Sequence, residues 1–221
     1  MYKLSPSKAH RFLNCTKSLD FDVAFIETPQ TVRGSVLHEL AEMILNNQDV
    51  LEFISEHKIN EYEIYLINGY VQSVWDEMTK IPNGKIVIEE KKPILIYENN
   101  INVVVDCLIL GDKIASIFDL KTGNGEVDVE DNEQLYFYAY MVAMTYANVE
   151  SFILNIYQKG KKKTVELTRS QVLDFFIEKQ PVFEKISKGQ LEYQPSDKAC
   201  KFCPVKETCV ARAKWIIGGK K

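Results

Sequence analysis

Ile101 to Lys121 reads INVVVDCLILGDKIASIFDLK, two apolar, β-branched runs on either side of Gly111-Asp112. Runs of this kind around a Gly-Asp pair spell a β-hairpin, and Gly at the first central position suits a type II′ turn. A two-residue turn there pairs Leu110 with Lys113, Asp106 with Ile117 and Val104 with Asp119. Side chains of a strand alternate between faces, so Asp106, Asp119 and Lys121 fall together on one face. A one-residue slip in register would send Asp106 to the opposite side, which makes the turn the premise of this placement.

Asp and Lys are poor strand residues and costly to bury unpaired, so their convergence on an apolar hairpin calls for a chemical reason. Hard oxygen donors suit Mg²⁺ or Mn²⁺, an ion able to bridge Asp106, Asp119 and a phosphate while Lys121 orients or deprotonates a water. The competing reading is an edge hairpin whose charges point into water. Asp119-Leu120-Lys121 is too common a tripeptide to separate the two, and the remaining chain has to do so.

With 221 residues, 46% hydrophobic and 26% charged, the composition is that of an ordinary globular protein with one well-buried domain. No window is long and apolar enough for a membrane span, and MYKLSPSK lacks a signal-peptide core, so the expectation is a cytoplasmic protein with no membrane partner. Repeats and low-complexity tracts are absent, which argues against a solenoid or a disordered scaffold. Net charge is −4, whereas nucleic-acid binders often carry excess positive charge. Lysines nonetheless cluster at Lys159 to Lys163 and from Lys198 to Lys221, and a local patch suffices to contact phosphates.

Ser5-Pro6 reads as an N-cap and first helical residue of a short helix reaching Cys15. Thr31 is the expected cap of a second helix, on which Val36, Leu37, Leu40, Ala41, Ile44 and Leu45 recur at helical spacing with His38 at the stripe's edge. By itself such a histidine reads as a core or boundary residue rather than a ligand. A long helix runs from Glu61 to Lys80. Strands follow at Ile86 to Glu90 and Ile94 to Tyr97, then a turn at Glu98-Asn99-Asn100 and the hairpin. A helix from about Glu130 to Ala147 puts Gln134 and Tyr138 on one face, where Tyr138 reads equally as simple packing. Two strands around a Gly-Lys-Lys-Lys turn, a helix capped by Thr168 or Ser170 and running to about Ser187, and a cysteine-bearing tail with a last helix to Trp215 complete the chain. This order predicts a mixed α/β (α+β) protein, a central sheet flanked by helices. There is no G-x-G-x-x-G or Walker pattern to suggest a nucleotide-binding fold.

Cys200, Cys203 and Cys209 form a compact C-terminal group, with Cys15 far upstream. Cys107 alternates with Asp106 and is expected in the core. In a reducing compartment four thiols point to metal rather than disulfides, and their spacing leaves zinc and iron-sulfur both open.

Taken together, R-G-S-V-L-H-E around His38, Asp106 on a strand, D-L-K at Asp119 to Lys121 and Q-L-Y-F-Y at Gln134 to Tyr138 resemble, in order and spacing, the motifs of RecB-like PD-(D/E)XK nucleases. The layout of one N-terminal and three C-terminal cysteines is similar to that superfamily's iron-sulfur branch, which includes the AddB nuclease domain and the nucleases of CRISPR adaptation. L-S-P-S-K-A-H-R-F-L-N-C, G-S-V-L-H-E-L-A-E, D-L-K-T-G-N-G and N-E-Q-L-Y-F-Y-A resemble a phage- and prophage-associated family of RecB-like proteins. The resemblance spans nearly the whole chain and is weakest from about Asn46 to Lys85.

It implies a single nuclease domain over 1–221: a helical part at 1–85, a catalytic sheet at 86–167 and a C-terminal helix and cysteine segment at 168–221. It makes His38, Asp106 and Asp119 metal ligands with a main-chain carbonyl near Leu120, Lys121 the catalytic lysine, and Gln134 and Tyr138 supports of the site or the DNA. Asp119 stands where many members have Glu. The cofactors implied are Mg²⁺ or Mn²⁺ and a [4Fe-4S] cluster on Cys15, Cys200, Cys203 and Cys209, with Zn²⁺ as the alternative. The implied partners are single-stranded DNA or DNA ends and a recombination or replication protein. The implied activity is that of a metal-dependent deoxyribonuclease acting in recombination or repair, and a non-catalytic DNA-binding subunit is the alternative.

Overall fold

The computed structural model describes residues 2–21 and 27–219. Its strands β1 (Lys85–Ile96), β2 (Asn99–Leu110), β3 (Ile114–Lys121), β4 (Ser151–Gln158) and β5 (Lys161–Thr168) lie side by side in chain order in one five-stranded sheet. All neighbours are antiparallel except β3 and β4, which run parallel. A parallel pair needs a crossover, and helix α5 (Glu133–Thr145) supplies it.

Before the sheet come α1 (Ala9–Phe12), α2 (Pro29–Leu45), α3 (Leu51–Glu56) and α4 (Glu61–Met78). After it come α6 (Arg169–Glu178), α7 (Gln180–Ser187), α8 (Asp197–Cys200) and α9 (Val210–Ile217). Two apolar cores result, one on each face of the sheet. Phe137 and Met141 of α5 pack with Phe12, Phe176, Phe183, Leu108 and Ile117 in the first. Leu40 of α2 and Tyr70 and Val74 of α4 pack with Cys107, Ile109 and Phe118 in the second. The mixed α/β expectation therefore holds, as does the placement of Cys107 in the core.

Local chemistry moved several boundaries. Thr28, not Thr31, caps α2: Thr28 Oγ1 accepts from Thr31 N at 3.2 Å while Thr31 Oγ1 accepts from Thr28 N at 2.8 Å, so Thr31 is the other half of a reciprocal box. Ser5 makes no side-chain cap, and Pro6–Lys8 is a 3₁₀ turn ahead of a one-turn α1. The expected helix to Ser187 is two helices, because Pro181 brings no N–H to continue the ladder past Lys179. The short α3 had no counterpart in the sequence reading.

The hairpin turns moved too. The two strands expected before the central hairpin are one, β1, and its turn is Tyr97-Glu98, both at positive φ (43° and 68°), rather than Glu98-Asn99-Asn100. Asn99 begins β2 with its amide buried, donating to the carbonyls of Tyr97 and Phe183 at 2.8 and 3.1 Å. In the central hairpin Gly111 N donates to Ile114 O at 2.9 Å, so the turn residues are Asp112-Lys113 and Leu110 pairs with Ala115. The register is thus two residues from the expected one. A shift of two preserves the face of every side chain. Gly111 is required for proximity instead of turn geometry, since a Cβ there would lie 2.5 Å from Ile81 Cγ2.

Strict alternation also fails at one step. Ile101, Val103 and Val105 face the first core but Cys107 and Ile109 the second, and in β1 Ile94 and Ile96 face the first but Ile86 and Ile88 the second. Both strands reverse at Glu89 and Asp106, which are the one facing pair missing from an otherwise continuous ladder, with Glu89 at φ 48°. Asp106 sits on that reversal and turns towards α2, so it does not share the face of Asp119 and Lys121 that strict alternation leads one to expect.

At the sheet centre Asn155 is fully buried and donates to Ser116 Oγ at 2.9 Å and Ile117 O at 3.2 Å while accepting from Thr164 Oγ1 at 2.8 Å. Asn155→Ala leaves those partners unsatisfied, and urea unfolding is expected to show a loss of about 1–3 kcal/mol with an unchanged m-value.

Candidate active site

The β2–β3 pairing ends at Cys107 and Phe118, and Asp106 and Asp119 are the next residues of the two strands. Asp119 is 2% exposed. Leu120 N donates to Asp106 Oδ2 at 3.1 Å, and His38 Nδ1, brought in by α2, lies 3.4 Å from the same oxygen. Lys121 closes β3 with Nζ 2.8 Å from Asp119 Oδ2.

Helix α5 supplies the other side. Asn132 caps it by accepting from Leu135 N, which sets Gln134 in its first turn and Tyr138 one turn later. The Gln134 amide then serves three partners: Oε1 accepts from Lys121 Nζ at 2.9 Å, and Nε2 donates to Asp119 Oδ1 at 3.2 Å and, in a very short contact, to Tyr138 Oη. Packing and site support are not alternatives for Tyr138. Its ring is in the core and its hydroxyl is on Gln134.

Burial first, and then the Asp119 charge, push the Asp106 carboxyl up from the usual 3.8 to about 6, against the opposing pull of His38 and Lys121. Tyr70 and Tyr138 are raised well above 10, chiefly by burial, and stay neutral phenols. Burial likewise pushes the Cys107 thiol up to about 12.

The five residues expected at the site fall into two contact groups, His38 with Asp106 and Asp119 with Lys121 and Gln134, bridged by the Leu120 N–H that donates to Asp106, with Tyr138 behind Gln134. They meet in pairs: among the described residues no three His, Cys, Asp or Glu side chains form a ready-made metal cage. Asp119 Oδ2 is buried and lies near the Lys121 ammonium without a well-directed hydrogen bond.

Two supporting residues escaped the sequence reading. Gln158 lies beside Lys121 in the parallel ladder, donates to Gly123 O and Gly125 O, each at 2.8 Å, and accepts from Val127 N at 3.1 Å, so one side chain holds the Thr122-Gly123-Asn124-Gly125 loop. Gly34, one turn before His38, approaches Thr122 so closely that a Cβ would lie 3.0 Å from its Oγ1. The available signals were a glutamine ending an apolar strand and a glycine inside a helix, and only the fold gives either one a partner.

Cys15, Cys200, Cys203 and Cys209 border one cavity, together with Tyr193 and Pro195, and none is in a disulfide. Cys15 Sγ accepts from Gln194 N and Cys209 Sγ from Arg212 N, both at 3.4 Å. Burial raises the Cys200 thiol. The chain ends are also joined without the thiols: Glu192 N donates to Thr16 Oγ1 at 2.8 Å, and Glu133 takes Asn14 at 3.1 Å and Lys198 at 2.6 Å. Of the lysine clusters, Lys159 donates to Asn124 O at 2.7 Å and Lys163 pairs with Glu126 and Asp128, while Lys220 and Lys221 lie outside the described residues.

The sheet, its crossover helix and the acid-amine-amide site define a mixed α/β protein with the helices packed on both faces of a five-stranded sheet. The fold is similar to the crystal structure of a "putative exonuclease" from Eubacterium rectale, with a TM-score of 0.53 and 11% identity over 93% of this chain and 87% of that one. The protein SSO0001 aligns at a TM-score of 0.44 and 12% identity over 96% of this chain and 88% of that one. At 11% identity the likeness to the Eubacterium rectale structure is one of fold. The chain belongs to the DUF2800 family of proteins of unknown function, whose sequence model matches residues 2–218. No helix among the described residues is long and apolar enough to cross a membrane.

The raised Asp106 pKa carries a sign. The folded state binds this proton more tightly than the unfolded chain, so its contribution is fully present below about 4 and is lost as pH rises through about 6. In EDTA the unfolding free energy is expected to fall across that interval, and Asp106→Asn to remove this component, as read by urea melts at stepped pH.

Proposed function

We propose that this protein is a metal-dependent deoxyribonuclease of the RecB-like PD-(D/E)XK kind, hydrolysing phosphodiesters of single strands or DNA ends in the cytoplasm. The observation that carries the reading is the convergence of two contact groups, His38 with Asp106 and Asp119 with Lys121 and Gln134, joined through the Leu120 N–H and assembled from one helix, two strands and a second helix. A structural ion pair needs only two of these side chains. Five polar groups at the end of an apolar hairpin exceed what packing requires.

The donor set is two carboxylates, an imidazole and the Leu120 carbonyl, and it fits a hard divalent ion. The buried, poorly satisfied Asp119 Oδ2 is the atom such an ion would satisfy. Bound by His38, Asp106, Asp119 and Leu120 O, Mg²⁺ or Mn²⁺ would supply Lewis-acid activation of a water and of the phosphate. Lys121 presents its ammonium to the reacting phosphate from a position held by Asp119 and Gln134. Gln134 keeps that lysine from collapsing fully onto Asp119 by sharing it, and Tyr138 fixes the amide's orientation from the core.

For the four thiols on one cavity we propose a [4Fe-4S] cluster, with Zn²⁺ as the alternative. The basis is the all-thiol donor set and its resemblance to the iron-sulfur branch. The group's role there is to tie the N-terminal segment to the tail, reinforcing the Thr16 and Glu133 contacts. A recombination or replication protein as partner is part of the same proposal.

Incubating anaerobically purified protein with end-labelled DNA in Mg²⁺, Mn²⁺ or EDTA tests the activity. Asp119→Ala and Lys121→Ala are each expected to lower cleavage by roughly 10²-fold or more while leaving the fold intact by circular dichroism. Near-wild-type, metal-dependent cleavage by both would remove the hairpin from the reaction.

The thiols are tested by colour. A four-iron cluster makes the anaerobic protein brown and air-sensitive, whereas zinc leaves it colourless. Cys203→Ser is expected to lose the metal and Cys107→Ser to keep it, and the reverse pattern in metal analysis would overturn the ligand assignment.

A further inference from the structure

A cleft of about 620 Å³ opens beside the active site, with Lys121 and Gln134 among its lining residues. Its lining includes His10 of the N-terminal segment, Lys198 of α8, and Lys201 and Phe202 just after that helix. Glu126, Asp128, Glu130 and Asp131 line it as well. Lys163 pairs with Glu126 and Asp128, and Lys198 with Glu133, so the cleft is a lane of mixed charge instead of a basic groove. The dense charge of a duplex finds little net attraction there.

Phe202 gives the lane another kind of grip. Its side chain is 60% exposed, its ring meets the His10 ring edge-on at 5.6 Å, and Lys201 Nζ stands 5.3 Å from its centroid. An exposed phenylalanine alone is ordinary on a protein surface. What distinguishes Phe202 is that it shares one cleft with the candidate catalytic lysine, on a wall that orients it from two sides. An aromatic face beside a cation is the arrangement on which unpaired bases stack, and a paired base has no free face to offer.

We infer that Phe202, steadied by His10 and Lys201, is a stacking platform for an unpaired base of a single-stranded DNA end whose backbone runs along the cleft to Lys121. The inference deepens the nuclease reading and rests on it for the identity of the polymer. It assigns a binding residue outside the reacting centre, so binding and cleavage can be separated by experiment.

Fluorescence anisotropy of end-labelled oligothymidylate with the full-length protein in EDTA measures binding without hydrolysis. Wild type is expected to bind the single strand in preference to a blunt duplex of equal length. Phe202→Ala is expected to weaken binding by roughly fivefold to 150-fold, the range for losing one base-aromatic stack, with Phe202→Trp restoring it. Because the side chain is exposed, an unchanged melting temperature is expected for both variants.

Equal affinity of wild type and Phe202→Ala, no binding by wild type, or equal affinity for duplex would each overturn the inference. Protein that binds through Phe202 yet cleaves no DNA with any metal keeps the platform and removes the nuclease reading. Protein that cleaves DNA with neither binding nor KM altered by Phe202→Ala does the reverse.

Discussion

Two carboxylates close together on adjoining strands, Asp119 buried and Asp106 with a quarter of its side chain exposed, are the constraint to which the surrounding structure answers. Asp106 and Asp119 repel, and burial removes the water that would otherwise screen them, which is why Asp106 holds its proton to about 6. Each is stabilised from a different direction: Asp106 by Leu120 N–H and His38, Asp119 by Lys121 and Gln134. Removing any donor exposes the repulsion again. The site therefore needs α2, β2, β3 and α5 in register at once.

The two cores hold those elements in place. The α5 crossover runs over one face of the sheet and delivers Gln134 and Tyr138, while α2 and α4 pack on the other and deliver His38. Asp106 faces α2 and contacts Leu120 because both β1 and β2 reverse their facing at Glu89 and Asp106. Glu89 adopts a left-handed backbone there, a conformation that costs a non-glycine residue and that packing on both sides must sustain. The strained step coincides with a carboxylate of the candidate site.

Around this centre the chain ends and the glycine loop are tied by polar contacts of unusual reach. Glu133 at the start of α5 joins Asn14 and Lys198, so the helix that positions Gln134 also anchors both termini. Gln158 and Lys159 hold the loop after Lys121, which fixes the lip of the cleft where the site opens. The four-thiol cavity lies in the same terminal junction as Phe202, between Cys200 and Cys203.

Sequence alone determined most of the elements and singled out the candidate site residues. Helical spacing on α2 and α4, the β-branched runs of the hairpin and the burial of Cys107 follow from local periodicity, which needs no knowledge of neighbours. His38, Asp106, Asp119, Lys121 and Gln134 stood out in the sequence because their order and spacing resemble a nuclease motif, and the fold gathers them at one end of the central hairpin. The even register error leaves Asp119 and Lys121 on one face, towards Gln134, but the reversal at Asp106 turns that carboxylate to the other face, towards His38. Tertiary structure alone decided the rest. Gly111 is a glycine because Ile81 approaches it, Thr28 rather than Thr31 caps α2, and the Tyr97-Glu98 turn carries none of the residues that announce a turn. Gln158 and Phe202 acquire roles from partners distant in the chain or from a cleft that several segments enclose. Periodicity is a property of neighbours along the chain, whereas contact across a fold depends on how each face is finally buried, and no local window contains that information.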